Sequence, residues 1–122
     1  MTYEETLHYL YTSIPVFQHS GASAYKPGLG TSIALDDYLG NPHKAYKTIH
    51  VAGTNGKGSV SHLLAAILRQ SGFKVGLYTS PHLVDFRERI RVNGKKISQD
   101  YVVDFVERHR SFFEPLHPSF FE

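Results

Sequence analysis

The segment Gly53-Thr54-Asn55-Gly56-Lys57-Gly58-Ser59 sets one lysine among three glycines, directly after the β-rich run Thr48-Ile49-His50-Val51-Ala52. A loop of small residues that leaves a strand and opens a helix turns backbone N–H groups toward an anion, and the helix N-terminus adds partial positive charge. Gly53, Gly56 and Gly58 let the backbone approach a phosphate without a Cβ in the way, and Lys57 is placed to neutralise β- and γ-phosphate oxygens. The generic phosphate-loop pattern, G-x-x-x-x-G-K-[ST], is broken twice: Val51 stands where the first glycine belongs, and Gly58 moves Ser59 one position on. A shorter G-x-x-G-K-G-S remains in the strand-loop-helix context. The bland alternative is a connecting turn, against which stands Lys57, a residue with no packing purpose among glycines at a helix start.

Two further residues could do chemistry. Ser80 follows the run Lys74-Val75-Gly76-Leu77-Tyr78-Thr79, at the C-terminal end of a predicted strand, where open α/β sheets gather their ligands. Its hydroxyl suits Mg²⁺, or simply caps the turn before Pro81. His82 is one of eight histidines, and an isolated one is more often structural or solvated than catalytic.

The elements that must position these residues follow from pattern. Thr2 and Glu5 have capping-box spacing before Tyr3, Leu7, Leu10 and Ile14, which predicts a helix over 3–12 ended by Pro15. Residues 18–30 read as a loop. A short helix over 32–39, capped by Ser32 and closed by Gly40, comes next. Val60, Leu63, Leu64, Ile67 and Leu68 form one apolar helical stripe ending near Ser71-Gly72, and the strand over 74–79 follows at once. This β-loop-α-β order predicts parallel pairing through a right-handed crossover. Residues 89–97 read as a hairpin around Asn93-Gly94, a type I′ signal. A last helix starts at Ser98, with Ile97 and Val102 placed for a staple and Val102, Phe105 and Val106 toward the core. The predicted fold class is thus α/β, a phosphate-loop-containing three-layer domain with a mainly parallel sheet. Its parts are a helical lead-in and substrate loop (1–47), the strand-loop-helix-strand unit (48–79), an Ω-like loop with hairpin (80–97), and a helix leading into a further element (98–122). The ending, Pro115 to Glu122, reads as an element being entered, hence as truncation.

With 122 residues, 41% hydrophobic, the chain can build one globular core. The formal charge of +2 is weak support for a nucleic-acid partner. The densest basic stretch, Arg87, Arg89, Arg91, Lys95 and Lys96, alternates with apolar residues and reads as a solvated hairpin face. No apolar run suggests a membrane span and no basic n-region opens the chain. The absence of cysteine excludes disulfides and thiolate metal sites and fits a reducing, cytoplasmic compartment.

Taken together, His50 to Ser59, the run Tyr78-Thr79-Ser80-Pro81-His82-Leu83, and Glu88-Arg89-Ile90-Arg91-Val92 resemble the folylpolyglutamate synthases and their dihydrofolate synthase relatives, within the Mur ligase superfamily. The glycine inserted after the lysine, a fault against the generic loop, is normal in that family. The resemblance covers nearly the whole chain. It implies an ATP-dependent acid–amino-acid ligase that activates a folate or dihydropteroate carboxylate as an acyl phosphate and joins it to L-glutamate. It further implies that Gly53, Thr54, Asn55, Gly56, Lys57, Gly58 and Ser59 hold ATP, with Lys57 on the transferring group, and that Ser80 ligates Mg²⁺. Residues 80–89 would form a mobile Ω-loop, with His82 beside the substrate and, by a looser alignment, Lys26, Pro27, Gly28 and Leu29 near the pterin. The family's other metal ligands, its modified lysine and its C-terminal domain are not in these residues, so the implied fragment is inactive alone and self-associates through uncovered sheet edge and helix faces. Cell-wall Mur ligases place a separate domain before the loop, for which the 52 residues ahead of Gly53 leave no room. A small-molecule kinase would need the generic loop. A nucleotide-binding or interaction module without turnover is the non-enzymatic alternative.

Overall fold

The computed structural model describes residues 1–14 and 28–122, in two compact units, Met1–Thr48 with Val102–Glu122, and Ile49–Tyr101.

In the first unit, α1 (Tyr3–Ser13) begins with the expected capping box. The Thr2 hydroxyl accepts the Glu5 N–H at 3.1 Å, and the Glu5 carboxylate accepts the Thr2 N–H at 2.7 Å. Thr6, fully buried, donates its hydroxyl to the Thr2 carbonyl at 2.8 Å. Helix α2 (Gly30–Tyr38) starts two residues before the expected Ser32 cap and has no side-chain cap. Ser32 lies inside it and donates instead to the Glu122 carboxylate. Gly40, at φ +85°, closes α2 as expected.

Helix α4 (Gln99–Phe113) is the longest element, and the Ser98 hydroxyl caps it by accepting the Tyr101 N–H. Its buried residues Val102, Val106 and Phe113 supply the apolar core of the first unit. Phe105 does not join them: it is 38% exposed and packs its ring on His109, one helical turn on. Tyr38 stacks on Phe112 at 3.8 Å and Tyr11 on Phe120 at 5.6 Å. The ending is a 3-10 turn over Glu114–Leu116 and a further turn, without the strand or helix expected there.

The second unit lays α3 (Lys57–Gln70) against a three-stranded sheet of β1 (Gly76–Tyr78), β2 (Ile90–Val92) and β3 (Lys95–Lys96), in the order β1-β2-β3. The sheet is antiparallel throughout, not mainly parallel. Leu77 pairs with Arg91, and Val92 with Lys95. Thr48–Ala52 does not enter the sheet: among the described residues it makes no ladder, and Ile49 is 64% exposed. The local hairpin supplies the neighbour of β1 instead, since antiparallel pairs need only a short connection. One helix on one sheet also makes two layers here rather than three. The turn residues Asn93 and Gly94, at φ +51° and +80°, have the expected type I′ signature.

Only part of the α3 stripe is covered. Leu64 and Leu68 are half-buried, while Val60, Leu63 and Ile67 stand 47–64% exposed. His62, Ala65, Ala66 and Arg69 instead line a cavity of about 210 Å³ with Val75, Leu77, Arg91 and Gly94.

Candidate functional site

The glycine-rich loop leads into α3 without any of the usual devices that satisfy a helix start. Gly56 occupies the N-cap position in the left-handed region at φ +79°, so it offers no side chain to the first turn, and that turn holds no acidic residue. The first intrahelical bond is Val60 N–H to the Gly56 carbonyl at 3.0 Å. The N–H groups of Lys57, Gly58 and Ser59 precede it and lie at the positive end of the helix dipole. A lysine there opposes the dipole unless an anion joins them.

Three glycines have different reasons to be glycine. Gly53 at φ +155° and Gly56 at φ +79° hold backbone conformations that L side chains rarely adopt. Gly58 has ordinary φ, and a Cβ built on it meets nothing within 4 Å. Nothing among the described residues therefore requires glycine at 58. Lys57 folds back over the loop: its ammonium donates to the Gly53 carbonyl at 2.6 Å and the Thr54 carbonyl at 3.3 Å. Ser59 is exposed in the first turn of α3.

The loop leaving β1 is organised by a second capping box. Asp85 accepts the Arg87 N–H at 2.9 Å, and the Glu88 carboxylate accepts the N–H groups of Leu83, Val84 and Asp85 at 3.1, 3.0 and 2.6 Å. A 3-10 turn over Phe86–Arg89 results. The Asp85 N–H bond, with those of Leu83 and Val84, pulls Glu88 down to about 2. Burial alone would raise Asp85, but the Arg87 N–H, its guanidinium and the Lys96 ammonium outweigh it and hold that carboxyl well below the usual range. Arg87 also reaches the Ile97 carbonyl at 3.2 Å, tying the turn to the far end of the hairpin.

Arg89 departs from the expected solvated hairpin face. It is 2% exposed, and its guanidinium donates from Nε to His82 Nδ1 at 2.7 Å and from Nη1 to Ser80 Oγ at 3.2 Å. His82 is half-buried, its ring edge-on to Phe86 at 6.1 Å. Burial, then the Arg89 charge, lowers its pKa. Ser80 is exposed, two residues beyond β1. A serine hydroxyl is a hard oxygen that suits Mg²⁺, and after accepting from Arg89 it retains one lone pair for a cation. It would be a single ligand: among the described residues no group of three or more His, Asp or Glu could hold a metal.

Arg89 thus joins Ser80 and His82, whereas no hydrogen bond among the described residues links residues 53–59 to either. Lys26 and Pro27 lie outside the described residues. Gly28, at φ +83°, and Leu29, 69% exposed, belong to the first unit. Sequence reasoning missed two features. The Asp85-x-x-Glu88 spacing matches that of Thr2 and Glu5 and was a readable signal. The burial of Arg89 left none, because the alternating charges around it read as a surface. Among the described residues no helix is long and apolar enough to cross a membrane.

No family model matches the chain. A dihydrofolate synthase/folylpolyglutamate synthase of Bacillus subtilis is 43% identical over 75% of the chain. The crystal structure of a Thermotoga maritima folylpolyglutamate synthase superposes with a TM-score of 0.83 over 98% of the chain at 46% identity. A folylpolyglutamate synthase–AMPPCP–folate complex does so with a TM-score of 0.76 over 95% at 35% identity. The chain spans 21% of the length of the Bacillus subtilis protein and 27% of each of these solved chains.

Proposed function

Because the chain belongs with the folylpolyglutamate synthases and dihydrofolate synthases, as a homologue of part of their length, we propose that it supplies the ATP phosphate loop and part of the folate site of an ATP-dependent ligase. The observation that carries this reading is the start of α3. It has no side-chain cap, no acidic residue in its first turn, a lysine held over the loop, and at Gly58 a glycine that packing among the described residues does not require. An ATP-analogue and folate complex of a homologue supports the same reading.

In the proposed reaction a folate or dihydropteroate carboxylate oxygen attacks the γ-phosphorus of ATP. The bond from that phosphorus to the β–γ bridging oxygen breaks, and ADP leaves with the acyl phosphate formed. The amino nitrogen of L-glutamate then attacks the acyl carbon, phosphate departs, and the nitrogen gives up a proton as the amide forms. Gly53 to Ser59 bind the phosphates through backbone N–H groups, and Lys57 exchanges its loop carbonyls for β- and γ-phosphate oxygens. Ser80 would give one oxygen to a Mg²⁺ ion, which would neutralise charge on the phosphates. His82 faces the folate, and residues 80–89 exclude water from the acyl phosphate. The setting is a phosphate-loop domain of Mur-ligase type in the cytoplasm.

The 122 residues alone bind nucleotide without turning it over. Incubation with ATP, labelled glutamate and folate or dihydropteroate tests this: no labelled amide is expected, and ATP-dependent product from this chain alone would overturn it.

A further inference from the structure

Arginine keeps its proton throughout the accessible pH range, so every guanidinium hydrogen bond is a donation. The Arg89 Nε–H contact of 2.7 Å therefore requires an unprotonated His82 Nδ1. The ring is then neutral, with its proton on Nε2. An imidazolium would set donor against donor and place two cations in contact. The same planar group donates to Ser80 at 3.2 Å, so two residues on either side of Pro81 are referenced to one rigid side chain. Arg89 itself has little freedom to move. It is 2% exposed, it ends the 3-10 turn that Asp85 and Glu88 cap, and its carbonyl accepts the Thr79 N–H at 2.9 Å beside β1.

We propose that Arg89 is a positioning residue that fixes the Ser80 hydroxyl and the Nε2–H tautomer of His82 in one arrangement for the ligands of this loop. The inference rests on the reading of Ser80 and His82 as ligand-contacting residues given above. It predicts that their contributions are coupled through a buried cation that composition assigns to the surface.

Nuclear magnetic resonance of the unmodified 122-residue chain at neutral pH tests the geometry without any substitution. The expected result is a bare Nδ1, a protonated Nε2, and scalar coupling across the hydrogen bond from Arg89 Nε to His82 Nδ1. A proton on Nδ1 overturns the proposal. Calorimetry then tests the consequence with Arg89→Lys, which keeps the charge and loses the planar fork. Affinity for Mg·ATP is expected to fall about tenfold, in the range seen when groups supporting a ligand are removed, with metal-free ATP affected less than twofold and His82 becoming a tautomer mixture. A folded Arg89→Lys chain with unchanged tautomer and unchanged Mg·ATP affinity overturns the proposal. If Arg89→Lys does not fold, the resonance result on the unmodified chain decides. If the unmodified chain binds no nucleotide, the proposed function fails while the His82 tautomer still judges the role of Arg89.

Discussion

Glu88 accepts the Asp85 N–H at 2.6 Å while Asp85 caps the turn that carries Glu88, so each carboxylate holds the backbone that presents the other. The relationship fixes the loop on which Ser80 and His82 sit, and it has a pH signature. Glu88 titrates at about 2 in the folded chain, below its usual 4.5, and Asp85 is lowered as well. A depressed carboxyl stabilises the fold fully above its unfolded value and loses that contribution as pH falls through the folded value. Thermal stability is therefore expected to fall as the pH drops from about 4.5 to 2, and Glu88→Gln is expected to flatten that dependence. An identical acid profile in Glu88→Gln would contradict this account of the loop.

Gly56 and Gly58 are predicted to respond differently to alanine. At Gly56 the left-handed backbone makes a Cβ cost about 1–2 kcal/mol, read as a lowered denaturant midpoint. At Gly58, with open space and ordinary φ, Gly58→Ala should leave stability within about 0.5 kcal/mol of the parent, glycine being the poorer helix former. Its Mg·ATP affinity should nonetheless fall about tenfold, a cost of about 1.4 kcal/mol for the displaced phosphate. Equal nucleotide affinity would show that nothing approaches the backbone there.

Thr2→Ala removes the first capping box and should cost about 1 kcal/mol in chemical denaturation, without changing nucleotide affinity. A loss of binding in a folded Thr2→Ala chain would mean that the first unit contributes to the nucleotide site.

Val60, Leu63 and Ile67 leave an apolar face on α3, which should drive self-association. Light scattering is expected to report species larger than a monomer, reduced by Leu63→Lys with Ile67→Glu. A monodisperse monomer in the parent chain would contradict this.

Much of this was legible in the sequence because the signals were local. The glycines of the loop, the capping box at Thr2, the Asn93-Gly94 turn and the Ser98 cap each depend on a few neighbouring residues. That the expected parallel pairing of Thr48–Ala52 would not form among the described residues was not legible, because pairing depends on which strand is near, and the hairpin offered β1 a partner instead. Ser32 reads as a cap until the distant Glu122 is known to accept its hydroxyl. The burial of Arg89 likewise follows from what surrounds it, Ser80 and His82, rather than from the charged pattern in which it sits.

The most direct test of the central claim is calorimetric titration of Mg·ATP into this chain and into Lys57→Ala. The parent is expected to bind, and the variant, still folded by circular dichroism, to lose at least about tenfold in affinity, or about 1.4 kcal/mol. Equal affinity in the two chains would contradict the claim, because the ammonium that reaches the Gly53 and Thr54 carbonyls would then have no part in holding phosphate.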